Sequence, residues 1–174
     1  MWLRCYNGTS SGPLLENQRI NMEDTMKSCF FIGHRESNEK LLPALEAAIE
    51  KLVINEDVRY FYVGCYGGFD RIATIALRKV KVIHPEITLM CLIPYHPAER
   101  KPDIPQGFDG TYFPEGLEQV PKRFRIPRAN KHMIDISDCL ICNVHHAVGN
   151  SGRLLEHAQI RRNRGHLQII NLAE

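Results

Sequence analysis

The sequence of 174 residues lacks any long run of apolar residues. Its longest apolar runs, Cys29–Ile32 and Leu89–Ile93, fall far short of the roughly 20 residues that a membrane-spanning helix needs. The first residues, MWLRCYNGTS, also lack the continuous apolar stretch of a secretory signal. We therefore expect a cytoplasmic protein that neither crosses a membrane nor is exported.

A strong charge of either sign is missing as well. Lys and Arg together number 22 and Asp and Glu number 20, which leaves a net charge of +2. Proteins that bind DNA, RNA or acidic membranes through a general electrostatic field usually carry a larger basic excess. The composition therefore does not favour nucleic acid as a partner.

A disulfide pattern is also absent, although six cysteines are present. Five of them fall in or beside predicted strands, where a free thiol acts as a small apolar group, namely Cys29, Cys65, Cys91, Cys139 and Cys142. We expect reduced thiols, as in the cytosol. The CxxC spacing of Cys139 and Cys142 does not indicate a metal site, because residues three apart on a strand point to opposite faces and no second CxxC exists. We expect neither a metal nor another cofactor.

Short apolar runs alternate with helical patterns from residue 28 onward. Buried strands are predicted at residues 28–33, 58–64, 87–93, 139–144 and 167–172, and helices at 41–54, 69–84, 128–137 and 149–164. Strands that are apolar throughout and separated by helices form parallel βαβ units whose sheet is covered on both faces. The sequence therefore predicts an α/β fold, a Rossmann-like three-layer αβα sandwich with a mainly parallel sheet of about five strands.

Two segments stand apart from this alternation. Residues 1–26 are polar and show no periodicity, and we interpret them as a tail or an N-terminal arm. Residues 27–174 then form a single domain, which suits their length. Residues 94–120 hold five prolines and three glycines. They predict a long loop of the kind that is usually functional or mobile.

Glycine, histidine and arginine residues follow the predicted strands. Because the carboxyl ends of parallel strands share one edge of the sheet, ligands bind outside that edge. Glycine turns that precede helices let the backbone approach a phosphate and offer free N–H groups to it. We expect a site for a nucleotide-type ligand, lined by Gly33, His34, Arg35, Gly67, Gly68, Asp70, Gly149, Asn150, Ser151, Gly152 and Arg153.

Each of these motifs also has a purely structural interpretation. The glycine turns could be plain tight connections, and His34 with Arg35 could form a surface turn. Asp70 could cap a helix at least as readily as it binds a ribose hydroxyl. The basic residues at 122–131 could clamp a phosphate or form a solvated face. For the basic run at 161–164, a helix C-terminus that attracts cations is the favoured interpretation.

Four stretches resemble the YpsA-like branch of the SMF/DprA–LOG (SLOG) superfamily of Rossmann-like proteins. They are CFFIGHRE (29–36), GGFDRIATIAL (67–77), RANKHMIDISDCLI (128–141) and GNSGRLLEHA (149–158). The resemblance covers residues 28–172. It implies a homodimer that binds a nucleotide or an NAD-derived ligand, and it adds Asn130 to the ligand-binding residues.

The same superfamily includes phosphoribohydrolases, which cleave the N-glycosidic bond of nucleoside monophosphates. The resemblance implies that Glu156 would be their carboxylate and Arg128 the arginine nearest to their catalytic one. Their Gly-Gly-x-Gly-Thr-x-x-Glu motif reads GNSGRLLE here, so Asn150 and Arg153 depart from it. Ala129 stands where they carry the arginine. These departures favour ligand binding, with a ribohydrolase as the alternative and a DNA-associated DprA-like protein as the second alternative.

Overall fold

The computed structural model describes residues 26–102, 104–145 and 148–173. Apart from Met26, the predicted tail or arm at residues 1–26 lies outside these described residues. His146 also lies outside them. Within the described ranges, no helix is long and apolar enough to cross a membrane.

Six parallel strands form one sheet in the described part of the chain. In sequence order they are β1 (Lys27–Gly33), β2 (Val58–Val63), β3 (Thr88–Leu92), β4 (Gly110–Tyr112), β5 (Cys139–Asn143) and β6 (Gln168–Asn171). Their order across the sheet is β4-β3-β2-β1-β5-β6, and every neighbouring pair is parallel. The sheet therefore reverses its direction of growth between β1 and β5.

The described α-helices are α1 (Leu42–Asn55), α2 (Gly68–Ile83), α3 (Lys122–Ile136) and α4 (Gly149–Asn163). The first two pack on one face of the sheet with one buried cluster, and the last two pack on the other face with a second cluster. The start of α1 agrees with the prediction, because Pro43 is tolerated only in the first turn. The predicted three-layer, Rossmann-like α/β architecture is confirmed.

Strand β1 shows why the central strands are apolar throughout. Cys29 and Phe31 belong to the cluster under α1 and α2, whereas Phe30 and Ile32 belong to the cluster under α3 and α4. All four side chains are at most 3% exposed. Successive side chains of a strand point to opposite faces, so a sheet covered on both faces needs apolar residues at every position. Cys139 and Cys142 are divided between the two clusters in the same way, as their spacing predicts.

Two elements differ from the sequence prediction. Strand β4 lies within the segment that is predicted as a loop, because three residues are too few to show a pattern. Helix α3 begins six residues before its predicted start and contains Pro127. Its first turns are anchored by the buried Arg125, which donates to the carbonyls of Val120 and Glu118 at 2.8 Å and pairs with Glu99 at 2.7 Å. Arg125 therefore fits neither interpretation of the basic stretch.

One pair of cysteines bears on the expectation of reduced thiols, which stays a prediction for that pair. The Sγ atoms of Cys65 and Cys91 lie in contact with each other, so the loop after β2 lies against the end of β3. The other described cysteines, Cys29, Cys139 and Cys142, are buried free thiols.

Gly33, at the carboxyl end of β1, is held against the ring of Phe69 at the start of α2. A Cβ atom added to Gly33 would lie 2.3 Å from that ring, which is completely buried and cannot move aside. We expect Gly33→Ala to lower the free energy of unfolding by about 2 kcal/mol, as overpacking of a core does. Urea denaturation measures this change.

Gly110→Ala is the matched control, because its new Cβ would meet only the flexible end of the Met90 side chain, at 3.1 Å. We expect the control to lower the free energy of unfolding by no more than about 0.5 kcal/mol. Equal losses in the two variants would contradict the close contact with Phe69.

Candidate functional site

The carboxyl ends of β1 and β5 form the topological switch point of the sheet. The chain leaves β1 toward α1 on one face and leaves β5 toward α4 on the other. Neighbouring strands whose connections diverge in this way leave a crevice between them, and doubly wound proteins bind their ligands there. Residues after β1 and after β5 therefore border the candidate site.

Two histidines meet at this point. The backbone N–H of His145, after β5, donates to Nε2 of His34, after β1, at 3.1 Å. Their rings are stacked, with centroids 6.0 Å apart and an angle of 11° between the planes. The backbone N–H of His34 also donates to the carbonyl of Asn143 at 3.3 Å. Nε2 of His34 is therefore the acceptor that joins the segments after β1 and β5.

The first turn of α4 is fastened to the end of β1. The Ser151 hydroxyl donates to the carbonyl of Gly33 at 3.0 Å. Gly149 has a φ of +89°, a conformation that favours glycine, and the space around it is open. The residue before α4, Val148, supplies no side-chain cap, so the first N–H groups of α4 lack the partner that a capping side chain gives.

The start of α2 is different, because a carboxylate of the chain already occupies it. Asp70 accepts hydrogen bonds from the backbone N–H groups of Tyr66, at 3.1 Å, and Gly67, at 3.0 Å. Burial raises the pKa of Asp70, while these two hydrogen bonds act in the opposite direction. The structure therefore shows the capping role for Asp70. A phosphate at this helix start would face a second anion, so of the two glycine turns the one before α4 suits an anionic ligand better.

The glycine turn before α2 is needed for contact between two protein segments. The N–H of Gly68 donates to the carbonyl of Arg35 at 3.2 Å, and a Cβ on Gly68 would lie only 2.1 Å from that oxygen. The turn after β1 and the loop after β2 therefore touch. Arg35 is exposed at this edge, and among the described residues its guanidinium has no hydrogen bond or ion pair.

Two asparagines were not among the predicted site residues. Asn171, at the end of β6, pairs through its side-chain amide with both backbone groups of Val144, accepting from N–H and donating to the carbonyl at 3.2 Å each. This pairing fixes the backbone just before His145. Asn143 is 4% exposed, and within the described ranges its buried Oδ1 atom has no partner. Their one sequence signal is that CLICN and QIIN are apolar strands that end in Asn.

The residues that the resemblance to the hydrolases suggests, Arg128 and Glu156, lie on α3 and α4. Arg128 lines a cavity of about 200 Å³ between α3 and residues 114–120, together with His132. Nε2 of His132 lies 2.8 Å from the Tyr112 hydroxyl, and burial is the main cause that lowers the pKa of His132. Asn130, on the same helix, is half-buried.

Glu156 lies on the exposed side of α4. It follows Ser151 by five positions, which is about 140° around a helix axis, and Ser151 faces β1. In the described part of the chain, no hydrogen bond or ion pair joins Glu156 to Arg128. Asn150 and Arg153 are also exposed on α4, whereas Gly152 in the same helix is buried. Their roles as ligand-binding residues remain predictions.

No group of three His, Cys, Asp or Glu side chains that could hold a metal ion occurs in the described ranges. No family model matches the chain, and no curated protein matches its sequence. The fold places this chain in the class of Rossmann-like proteins with an all-parallel, doubly wound sheet. Within that class, this chain is characterised by its paired histidines at the switch point.

The raised pKa of Asp70 makes its effect on stability depend on pH. The folded protein holds this proton more tightly than the unfolded chain does. The contribution of Asp70 is therefore fully present below its usual pKa of 3.8 and is lost as the pH rises through the higher pKa of the folded state. Asparagine keeps an accepting oxygen but cannot ionise. We expect Asp70→Asn to gain stability relative to the unmodified protein as the pH rises above 3.8.

Urea denaturation of Asp70→Asn and of the unmodified protein, below and above pH 3.8, tests the prediction. The difference between their free energies of unfolding cancels the contributions of the other carboxyl groups. Asp70→Ala is the control. It removes the cap as well as the charge and should be less stable than Asp70→Asn by about 1 kcal/mol. If the difference in free energy of unfolding between Asp70→Asn and the unmodified protein stays constant with pH, burial does not destabilise the carboxylate. The same conclusion follows if the unmodified protein gains stability relative to Asp70→Asn as the pH rises.

Proposed function

We propose that this protein binds a nucleotide or a nucleotide-derived ligand in the crevice between the ends of β1 and β5. The single observation that carries the proposal is the meeting of His34 and His145 there, joined by a 3.1 Å hydrogen bond. Two histidines from opposite sides of the switch point bring stacking faces and hydrogen-bonding nitrogens to the place where this class binds its ligands.

The charges around the crevice support a ligand that carries phosphate. Arg35 is exposed beside the histidines without an acidic partner in the described part of the chain. The uncapped start of α4 adds N–H groups and the positive end of a helix dipole. The phosphate belongs at α4 in this proposal, because Asp70 supplies a negative charge at the start of α2.

The resemblance to the YpsA-like branch of the SLOG superfamily supports the same ligand class. It also extends the proposal to a cytosolic homodimer that senses its ligand. We favour binding over N-glycosidic hydrolysis because Glu156, the carboxylate of the hydrolase alternative, lies on the exposed side of α4. A carboxylate must lie close to the anomeric carbon to assist that cleavage.

Thermal unfolding in the presence of AMP, other nucleoside monophosphates and NAD tests the proposal. At a ligand concentration about 100-fold above Kd, one of them should raise Tm by roughly 5–10 °C, because a ligand that binds only the folded state stabilises it. Arg35→Ala should reduce the shift at a fixed ligand concentration. Arg162→Ala, an exposed arginine in the last turn of α4, is the matched control and should leave the shift unchanged.

Four outcomes would count against the proposal. If no nucleotide shifts Tm, or if Arg35→Ala and Arg162→Ala behave alike, the crevice is not the ligand site. If free base appears by chromatography and disappears in Glu156→Ala, the protein is a ribohydrolase. Retarded migration of labelled DNA at low salt would favour the DNA-associated alternative instead.

A further inference from the structure

The pair formed by Cys65 and Cys91 lies at the same edge of the sheet as the histidines. Cys65 belongs to the loop between β2 and α2, and Cys91 is the next-to-last residue of β3. Their Sγ atoms are in contact across a sequence separation of 26 residues. Cys29 and Cys139 face each other across β1 and β5 in the same sheet, yet they remain free thiols. The sulfur contact therefore distinguishes this pair among the described cysteines.

The two thiols differ in access to solvent. Cys91 is completely buried, whereas Cys65 is only half-buried. Disulfides with an accessible sulfur are the ones that exchange readily with small thiols, and structural disulfides are shielded. A small thiol or disulfide can reach this pair from the Cys65 side alone.

The loop that carries Cys65 is connected to the candidate site. Its next residues are held by Asp70, through the N–H groups of Tyr66 and Gly67. The N–H of Gly68 then donates to the carbonyl of Arg35 at 3.2 Å, in a contact too close for any side chain on Gly68. The loop that carries Cys65 therefore contacts the backbone of Arg35 through the N–H of Gly68.

We propose that Cys65 and Cys91 are a reversible thiol–disulfide pair that fixes the loop after β2 against β3 and so sets the position of Arg35. The effect on ligand affinity rests on the proposed function, whereas the effect on the loop does not. In the oxidised form a covalent bond also holds the loop, and in the reduced form the loop keeps only its hydrogen bonds and the ring contact of Tyr66 with Tyr95.

The reaction that closes the bond needs an oxidant of the low-molecular-weight disulfide class, such as glutathione disulfide. The Cys65 thiolate attacks one sulfur of it, which forms a mixed disulfide and releases one glutathione. The Cys91 thiolate then attacks the Cys65 sulfur and releases the second glutathione. Two protein thiols are oxidised, one glutathione disulfide is reduced, and the two thiol protons end on the two glutathione molecules.

The test equilibrates the protein with glutathione and glutathione disulfide at a series of ratios. A Cys5→Ser background removes the thiol that lies outside the described residues. After alkylation and tryptic digestion, mass spectrometry should find residues 60–71 joined to residues 82–100, increasingly so as the oxidant rises. Hydrogen exchange at residues 65–68 should be slower in the oxidised form. The nucleotide Kd of the oxidised form should be lower than that of the reduced form by about threefold or more, because a loop that is already held loses less freedom on binding.

Cys65→Ser and Cys91→Ala should abolish the linked peptide and make hydrogen exchange at residues 65–68 insensitive to the glutathione ratio. Cys142→Ser is the control, because it removes a buried thiol in the cluster on the other face of the sheet. Its linked peptide and its hydrogen exchange should depend on the glutathione ratio as they do in the unmodified protein. Absence of the linked peptide at every ratio, or a linked peptide without any change in exchange, overturns the proposal. If neither redox form binds a nucleotide, the proposed function fails. The linked peptide and the exchange rates still decide whether Cys65 and Cys91 are a reversible thiol–disulfide pair.

Discussion

Strand β1 is paired on both sides and buried on both faces, and the position of the candidate site depends on it. Its neighbours are β2 on one side and β5 on the other, all parallel. Because the connections of β1 and β5 leave toward opposite faces, the end of β1 borders a crevice. Gly33 allows Phe69 to pack at that end, and its carbonyl receives the Ser151 hydroxyl from α4. One strand end thus holds the first turns of helices on both faces.

The two helix starts at this edge have similar glycine turns, but their local charge gives them different capacities to bind an anion. The turn before α2 is completed by Asp70, whose carboxylate takes the N–H groups that a phosphate would use. The turn before α4 has no such side chain, and its glycine has a positive φ in open space. An anion would replace hydration at α4, but it would meet a fixed negative charge at α2.

Much of the fold could be predicted from the sequence, because buried parallel strands and amphipathic helices leave strong local patterns. Strand β4 could not, since its three residues have no periodicity, and the early start of α3 depends on Arg125 reaching carbonyls outside the helix. His34 and Arg35 could be placed at the edge from their position after a strand. Their contacts could not, because the partners of His34 and Arg35 come from distant segments at His145 and Gly68. The same limit applies to Asn171, whose partner is Val144.

The outermost strands of the sheet are its shortest, with three residues in β4 and four in β6. An exposed edge invites another chain to add a strand to it, and proteins limit this hazard by keeping edge strands short. Few unpaired backbone groups remain on either side for a second chain to continue the ladder. This geometry disfavours aggregation by strand addition.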